Sequence, residues 1–128
     1  METSTLINIL FIILIGWFVF TRLRPTPGLK SLREEQFRNE MQSSKDRVVI
    51  DVRETGEYSR GHIPGAKNIP LSQLQGRLSE IPQDQDLLLY CQSGMRSKNA
   101  ARILSKNGYS RLAHLTGGIS AWRGKITK

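Results

Sequence analysis

One heptapeptide of the sequence combines a thiol, small loop-forming residues and a cation: Cys91-Gln92-Ser93-Gly94-Met95-Arg96-Ser97. Gly94 can adopt the positive φ that a tight loop requires. If a helix begins near Ser97, the loop amides and the helix N-terminus point to one place and form a cradle for an anion. The field of that cradle lowers the pKa of the Cys91 thiol, and Arg96 adds a fork of donors for a tetrahedral oxyanion. This Cys91–Ser97 loop therefore predicts an exposed, reactive thiolate that faces an anionic substrate.

The spacing within the loop separates two chemistries. A longer spacing between Cys and Arg is typical of Cys-dependent phosphatases, which enclose a phosphate, whereas four residues separate Cys91 from Arg96. A smaller ring of amides suits a single sulfur atom carried on the cysteine as a persulfide, and the loop has no Asp to protonate a leaving alcohol. We favour sulfur transfer and keep two alternatives, a phosphatase and a non-catalytic module that holds a partner at a membrane. For Cys91 itself, the alternative is a small buried core residue.

The segments around the loop predict strands that alternate with helices. Short apolar runs indicate strands at Val48–Val52, Ala66–Ile69, Leu87–Tyr90 and Leu112–Leu115. Caps and periodic apolar residues predict helices from Ser31 to Met41, opened by the capping box Ser31-Leu32-Arg33-Glu34, from Glu54 to Arg60 (a turn or short helix), from Pro70 to Ile81, from Ser97 to Asn107, and after Gly117-Gly118. This alternation implies an α/β fold, a small, mainly parallel sheet with helices on both faces. Cys91 would then follow a buried strand at the edge where such folds bind ligands.

The first segment of the chain predicts a membrane anchor. No charged residue occurs from Thr3 to Thr21, 19 residues. As a helix they measure about 28 Å, close to the hydrocarbon thickness of a bilayer. Trp17 lies near the C-terminal end, where indoles favour the membrane interface. A cleaved signal peptide would need a basic start and a small-residue cleavage site, and neither accompanies this segment.

The chain is expected to divide into three parts: an anchor over residues 1–21 (helix at about 3–21), a juxtamembrane linker over 22–30 and the α/β domain over 31–128. Pro25 and Pro27 exclude a helical linker. The nearby cations are expected to touch anionic lipid of the bilayer weakly: Arg22, Arg24, Lys30 and Arg33. The positive-inside bias places the N-terminus outside the cell membrane and the domain in the cytoplasm, where a lone Cys stays reduced.

Composition excludes several other classes. A single Cys cannot form an internal disulfide, and Cys91, His62 and His114 are too few to hold a structural zinc ion, so we expect no metal and no cofactor. The net charge is +8, and no Asp or Glu follows Asp86, which invites an anionic partner. No nucleic-acid-binding motif accompanies these cations, so we expect no nucleic-acid partner.

Motifs spread over roughly Leu29 to Lys125 resemble the rhodanese family of thiosulfate sulfurtransferases. In chain order they are Asp51-Val52-Arg53 with Glu57, Gly61-His62-Ile63-Pro64-Gly65-Ala66, Asn68-Ile69-Pro70, Tyr90 with the Cys91–Ser97 loop, Gly117-Gly118, and Trp122. Their order and spacing carry the resemblance, which implies the rhodanese-like fold of a single domain.

The resemblance also implies a reaction. Cys91 would be the nucleophile, the amides of residues 92 to 97 would stabilise its persulfide, and Arg96 would help to bind the anionic donor. Cys91 would take the outer sulfur of thiosulfate or a related small anion, release sulfite, and pass the sulfur to cyanide or a thiol. Because the chain has no second Cys, the acceptor must be external.

Four polar residues of the motifs are expected to support the loop: Asp51, Arg53, Glu57 and His62. We expect Asp51 and Arg53 to hold loops by hydrogen bonds, Glu57 to pair with Arg53 or a loop amide, and His62 to anchor a turn. His114 and Trp122 are expected to be structural.

Overall fold

A long apolar helix precedes an α/β domain in the computed structural model, which describes residues 2–24, 26–43 and 46–128. The helix, α1, runs over Thr3–Leu23 and none of its residues is buried. Its mean hydropathy reaches 2.2, so by length and composition it could cross a membrane. Met1 of the predicted anchor and Pro25 of the predicted linker lie outside the described residues.

The domain is built on one parallel sheet. Its strands are β1 (Leu29–Leu32), β2 (Arg47–Asp51), β3 (Lys67–Asn68), β4 (Asp86–Tyr90) and β5 (Leu112–Leu115). They lie in the order β1-β5-β4-β2-β3, and every neighbouring pair is parallel. The central position of β4 explains its nearly continuous apolar sequence, since both faces of a parallel sheet are covered.

Helices cover both faces of the sheet. They are α2 (Glu34–Ser43), α3 (Thr55–Ser59) and α4 (Met95–Lys106), with 3₁₀ segments at Leu71–Glu80 and Gly118–Ala121. Buried residues of α4 and of the Leu71–Glu80 segment share one core cluster, and Phe37 of α2 belongs to the cluster on the opposite face. The arrangement confirms the predicted α/β fold.

Alternation along β4 places Cys91 between the sheet and α4. Leu87, Leu89 and Cys91 belong to the cluster that contains the α4 side chains. Leu88 and Tyr90 belong to the cluster on the other face. The side-chain period of a strand therefore turns the thiol towards the start of α4.

The capping box predicted at Ser31 is wrong. Ser31 lies in β1, which pairs with β5 and sets Ser31 opposite His114. The helix begins instead at Glu34, where the Gln36 side-chain oxygen accepts a hydrogen bond from the Arg33 amide at 3.0 Å. Pairing with a distant strand outweighs a local capping signal, and it draws the last residues of the predicted linker into the sheet.

Two helix predictions differ in detail from the structure. The segment Leu71–Glu80 is 3₁₀ rather than α-helical, with a kink at Arg77 (φ −121°, ψ 19°). The helix predicted from Ser97 begins earlier, at Met95, because Gly94, with its positive φ, is the residue that caps it.

The linker joins the domain at the edge of the sheet opposite Cys91. Leu29, the first residue of β1, pairs with Leu112, the first residue of β5. Cys91 follows the last residue of β4. Because the strands are parallel, the chain leaves α1 at their amino ends, and the thiol lies at their carboxyl ends.

Candidate active site

The Cys91 sulfur lies beneath the Cys91–Ser97 loop, between the end of β4 and the start of α4. The Gly94 amide donates a hydrogen bond to Sγ at 3.0 Å. The Ser97 hydroxyl oxygen lies 3.7 Å from Sγ. Gly94 adopts φ +107°, the left-handed conformation that lets the loop fold back over the sulfur. The loop thus directs hydrogen-bond donors at the thiol.

Two opposing effects act on the pKa of the Cys91 thiol. Burial raises it, while hydrogen bonds from the Ser97 amide and hydroxyl, and from the Gly94 and Ser93 amides, lower it. The hydrogen bonds outweigh burial, so the pKa lies below the ordinary thiol value. The thiolate is the reactive form of a cysteine, so this environment favours nucleophilic attack.

The expected exposure of the thiol is wrong. Cys91 is only 1% exposed and forms part of a core cluster with Val52 and Ala100. Amide groups can converge on a sulfur atom only by wrapping around it, and that wrapping covers it. The other side chains of the loop differ: Gln92, Ser93 and Met95 are exposed, whereas Ser97 is buried. Attack on Sγ therefore requires a small reagent or a small opening of the loop.

Arg96 is held beside the loop by Glu57 of α3. The two Glu57 carboxylate oxygens accept hydrogen bonds from the Arg96 guanidinium at 2.6 and 2.9 Å. These bonds lower the pKa of Glu57 to about 2, although partial burial opposes them. The expected partner of Glu57, either Arg53 or a loop amide, is therefore wrong. Arg53 forms its ion pair with Asp51 instead. Arg96 can contact Glu57 only because the fold brings α3 close to the start of α4.

Asp51 and Arg53 form a buried ion pair that ties three segments together. Their exposed fractions are 0% and 4%. Arg53 Nη2 lies 2.8 Å from an Asp51 carboxylate oxygen and also donates to the Gly61 carbonyl at 2.7 Å. Arg53 Nη1 donates to the Gln92 side-chain oxygen at 3.4 Å. The pair thus links β2 to the Gly61 turn and to the loop, the loop-holding role expected for it.

His62 lies in the turn that follows α3. Its ring stacks on Tyr58 at a centroid distance of 3.6 Å, and Nδ1 lies 2.9 Å from the Tyr58 carbonyl oxygen. The His62 amide donates to the Thr127 carbonyl at 2.9 Å, which attaches the C-terminal segment. These contacts are those of the expected turn anchor. Trp122 packs edge-on against Phe37 with ring centroids 6.4 Å apart, a structural role as well.

Sequence reasoning missed that His114 contacts the loop. His114 Nδ1 lies 2.9 Å from the Ser97 hydroxyl oxygen, and Nε2 lies 3.2 Å from the Ser31 hydroxyl oxygen. Burial lowers the pKa of His114, and the nearby Lys98 charge lowers it further. Strand alternation could have indicated this contact. His114 pairs with Leu89, so it faces the same side of the sheet as Cys91.

The segment Gly118–Ala121 holds the start of the loop by backbone hydrogen bonds. This contact was not predicted from the sequence. The Ile119 amide donates to the Cys91 carbonyl at 2.9 Å, and the Ser120 amide donates to the Gln92 carbonyl at 3.2 Å. Gly118 adopts φ +61°, and a Cβ there would stand 2.5 Å from the Cys91 carbonyl oxygen. The sequence shows the Gly117-Gly118 motif, but it does not show that the motif packs against the backbone of Cys91 and Gln92.

Among residues 2–24, 26–43 and 46–128, no group of three or more His, Cys, Asp or Glu side chains could hold a metal ion. The chemistry that can be read from the described part of the chain is that of a thiolate, its hydrogen-bond donors and a nearby guanidinium.

The chain is similar to known proteins over most of its length. Residues 34–125 match the family described as Rhodanese-like domain. The uncharacterized protein YqhL of Bacillus subtilis is 40% identical over 124 residues, which cover 97% of this chain and 96% of that protein. A sulfurtransferase of Allochromatium vinosum is 36% identical over 94 residues, 73% of this chain and 88% of that protein. The crystal structure of a rhodanese-related protein from Thermoplasma volcanium is 27% identical, with a TM-score of 0.69, and covers 77% of this chain and 97% of that one.

Proposed function

The chain belongs to the rhodanese-like domain family, and on that premise we propose that it is a membrane-anchored sulfurtransferase that carries sulfur on Cys91. The sulfurtransferase among its relatives supports this type of reaction. The observation that carries the proposal is the 3.0 Å hydrogen bond from the Gly94 amide to Sγ, in a loop that lowers the pKa of the thiol.

The first half-reaction loads the sulfur. The Cys91 thiolate attacks the outer sulfur of thiosulfate or a related small anionic donor. The S–S bond of the donor breaks, its electron pair leaves with sulfite, and Cys91 becomes a persulfide. Loop amides stabilise the negative charge on sulfur before and after the transfer. Arg96 uses only part of its set of N–H donors on Glu57, so the others can bind the oxygens of the donor.

The second half-reaction unloads the sulfur. Cyanide or a thiolate attacks the terminal sulfur of the persulfide, the S–S bond breaks, and the Cys91 thiolate is regenerated. The products are thiocyanate or the persulfide of the acceptor. Cys91 is the only cysteine of the chain, so the acceptor comes from outside it. Covalent storage divides the transfer into two easier steps.

The predicted anchor supports a reaction at a membrane. α1 contains 21 residues, none of them buried against the domain. Its large apolar surface is therefore favourable only in a lipid or protein environment. Cations flank its C-terminal side and none occurs before Arg22, which supports a cytoplasmic domain and an N-terminus on the outer side.

Thiocyanate formation tests the enzymatic part of the proposal. The full chain in detergent should form thiocyanate from thiosulfate and cyanide, and Cys91→Ala should abolish it. Cys91→Ser keeps the size of the side chain and serves as a control for folding. Full activity of Cys91→Ala would contradict the proposal.

A non-catalytic binding module is the second candidate, because Cys91 is only 1% exposed. In that case the fold would hold a partner protein and the thiol would be inert. A Cys91 that resists iodoacetamide at neutral pH, in a chain that forms no thiocyanate, would favour this candidate.

A further inference from the structure

A basic cleft lies where the end of α1 meets the outer side of α4. Its volume is about 300 Å³, and its cations come from two separate parts of the chain. Arg22 and Arg24 belong to the end of α1, while Lys98 and Arg102 lie one helical turn apart on α4. We propose that this junction cleft binds the phosphate of an anionic phospholipid. The inference rests on the proposed membrane anchor.

The charge of the junction cleft is not balanced by the protein. No acidic side chain lines it, and none of its four cations forms an ion pair within the described ranges. Other arginines of the domain are paired, for example Arg77 with Glu80 and Arg111 with Asp86. Uncompensated cations that converge on a cleft favour an external anion.

The basic surface continues along α4. A neighbouring cleft of about 290 Å³ shares Arg24 and Arg102 and adds Lys106. Lys98, Arg102 and Lys106 follow one another at intervals of four residues, so they form a stripe on one face of the helix. A stripe of this kind suits a charged surface better than a single small ion.

Position favours a lipid over a soluble phosphate. Arg22 lies in the last turn of α1, with its guanidinium 5.1 Å from the centre of the Phe18 ring. If α1 spans the bilayer, its apolar segment ends at the boundary of the hydrocarbon core. The first cations after that segment then lie among the lipid phosphates. Lys30, expected from the sequence to act with Arg22 and Arg24, lines a different cleft together with Glu40 and Asp86.

Lipid binding would fix the domain relative to its anchor. One phosphate held by Arg22 and Arg24 on one side and by Lys98 and Arg102 on the other would bridge α1 and α4. Because α4 begins within the Cys91–Ser97 loop, this bridge would set the direction in which the active site faces.

Lipid retention by the full chain tests the inference. The protein is placed in nanodiscs of phosphatidylcholine with added phosphatidylglycerol, and native mass spectrometry counts the lipids that stay bound after release. We expect preferential retention of phosphatidylglycerol. The double variant Lys98→Gln/Arg102→Gln should bind it about 25-fold more weakly, at about 5-fold for each cation removed. Arg123→Gln/Lys125→Gln removes the same charge outside the cleft and should bind like the unmodified chain.

Other outcomes would contradict the lipid site, the anchor or both. Equal retention of both lipids, or equal retention by both double variants in folded protein, overturns the lipid site but leaves the anchor and the sulfur chemistry intact. Displacement of phosphatidylglycerol by inorganic phosphate at the same concentration assigns the cleft to a soluble anion and overturns the lipid. A chain that does not enter the nanodiscs and stays in aqueous solution would contradict both the anchor and the lipid site.

Discussion

Arg96 and Glu57 face each other across the gap between α4 and α3, joined by hydrogen bonds of 2.6 and 2.9 Å. Both side chains are partly exposed, at 34% and 26%. The negative charge of the Cys91 thiolate helps to raise the pKa of Arg96, after the larger effect of the Glu57 hydrogen bonds. Glu57 therefore fixes the Arg96 cation beside the Cys91–Ser97 loop while leaving it partly accessible to a substrate.

Arg96→Ala should weaken binding of the sulfur donor. A hydrogen bond to a charged group contributes about 1.5–3 kcal/mol, so the KM for thiosulfate should rise about 10- to 160-fold. The rate at which cyanide removes sulfur from preloaded protein should change far less. Arg77→Ala is the matched control, because Arg77 also pairs with a glutamate but belongs to the Leu71–Glu80 segment rather than to the loop. Unchanged kinetic parameters in Arg96→Ala would reject its role.

Ser97→Ala should raise the pKa of the Cys91 thiol. The variant removes the Ser97 hydroxyl, whose oxygen lies 3.7 Å from Sγ and whose hydrogen bond with Cys91 lowers the pKa of the thiol, and it keeps the loop amides. The rate of alkylation by iodoacetamide, measured against pH, reports the thiolate fraction. In the unmodified chain the midpoint should lie below the ordinary thiol value, and in Ser97→Ala it should move upwards. A midpoint that does not move would show that the hydroxyl makes no contribution.

Gly118→Ala should displace the loop and reduce activity. The new Cβ would stand 2.4 Å from the Gln92 carbonyl oxygen and 2.5 Å from the Cys91 carbonyl oxygen, so the first two carbonyl groups of the loop must shift. We expect kcat/KM to fall at least about 10-fold, because small misplacements of catalytic groups are costly. Gly65→Ala is the control: Gly65 has φ +85° but nothing within 4 Å, so it reports backbone strain alone. Equal losses in the two variants would contradict a specific effect at the loop.

His114 should make stability depend on pH. Burial lowers its pKa in the folded state, so the unfolded chain binds the proton more readily. The free energy of unfolding should therefore be highest above about pH 6.5, the ordinary value for histidine, and fall as the pH decreases below it. Urea unfolding at pH 7.5 and pH 5.5 measures the difference. His114→Gln should reduce this difference, and an unchanged pH dependence would contradict the assignment.

The parts of the fold that could be predicted from the sequence depend on local patterns. The apolar run Leu112–Leu115 coincides with β5, and the run before Cys91 coincides with the end of β4. The loop geometry was also predictable, because Gly94 and a following helix limit where the amides can point.

The parts that could not be predicted depend on contacts between distant residues. Ser31 carries a valid local cap signal, yet pairing of β1 with β5 makes it a strand residue. The pairing of Glu57 with Arg96 spans 39 positions of the chain and arises only when α3 packs near α4. The burial of Cys91 follows from how closely the loop and α4 approach the sheet, which residue types do not specify.

Intact-mass measurement of the full chain after exposure to thiosulfate tests the central assignment most directly. We expect a mass gain of one sulfur atom, lost on addition of cyanide and located on Cys91 by fragmentation, with no gain in Cys91→Ser. A folded chain that gains no sulfur, or that gains it equally in Cys91→Ser, would contradict the assignment of Cys91 as the sulfur carrier.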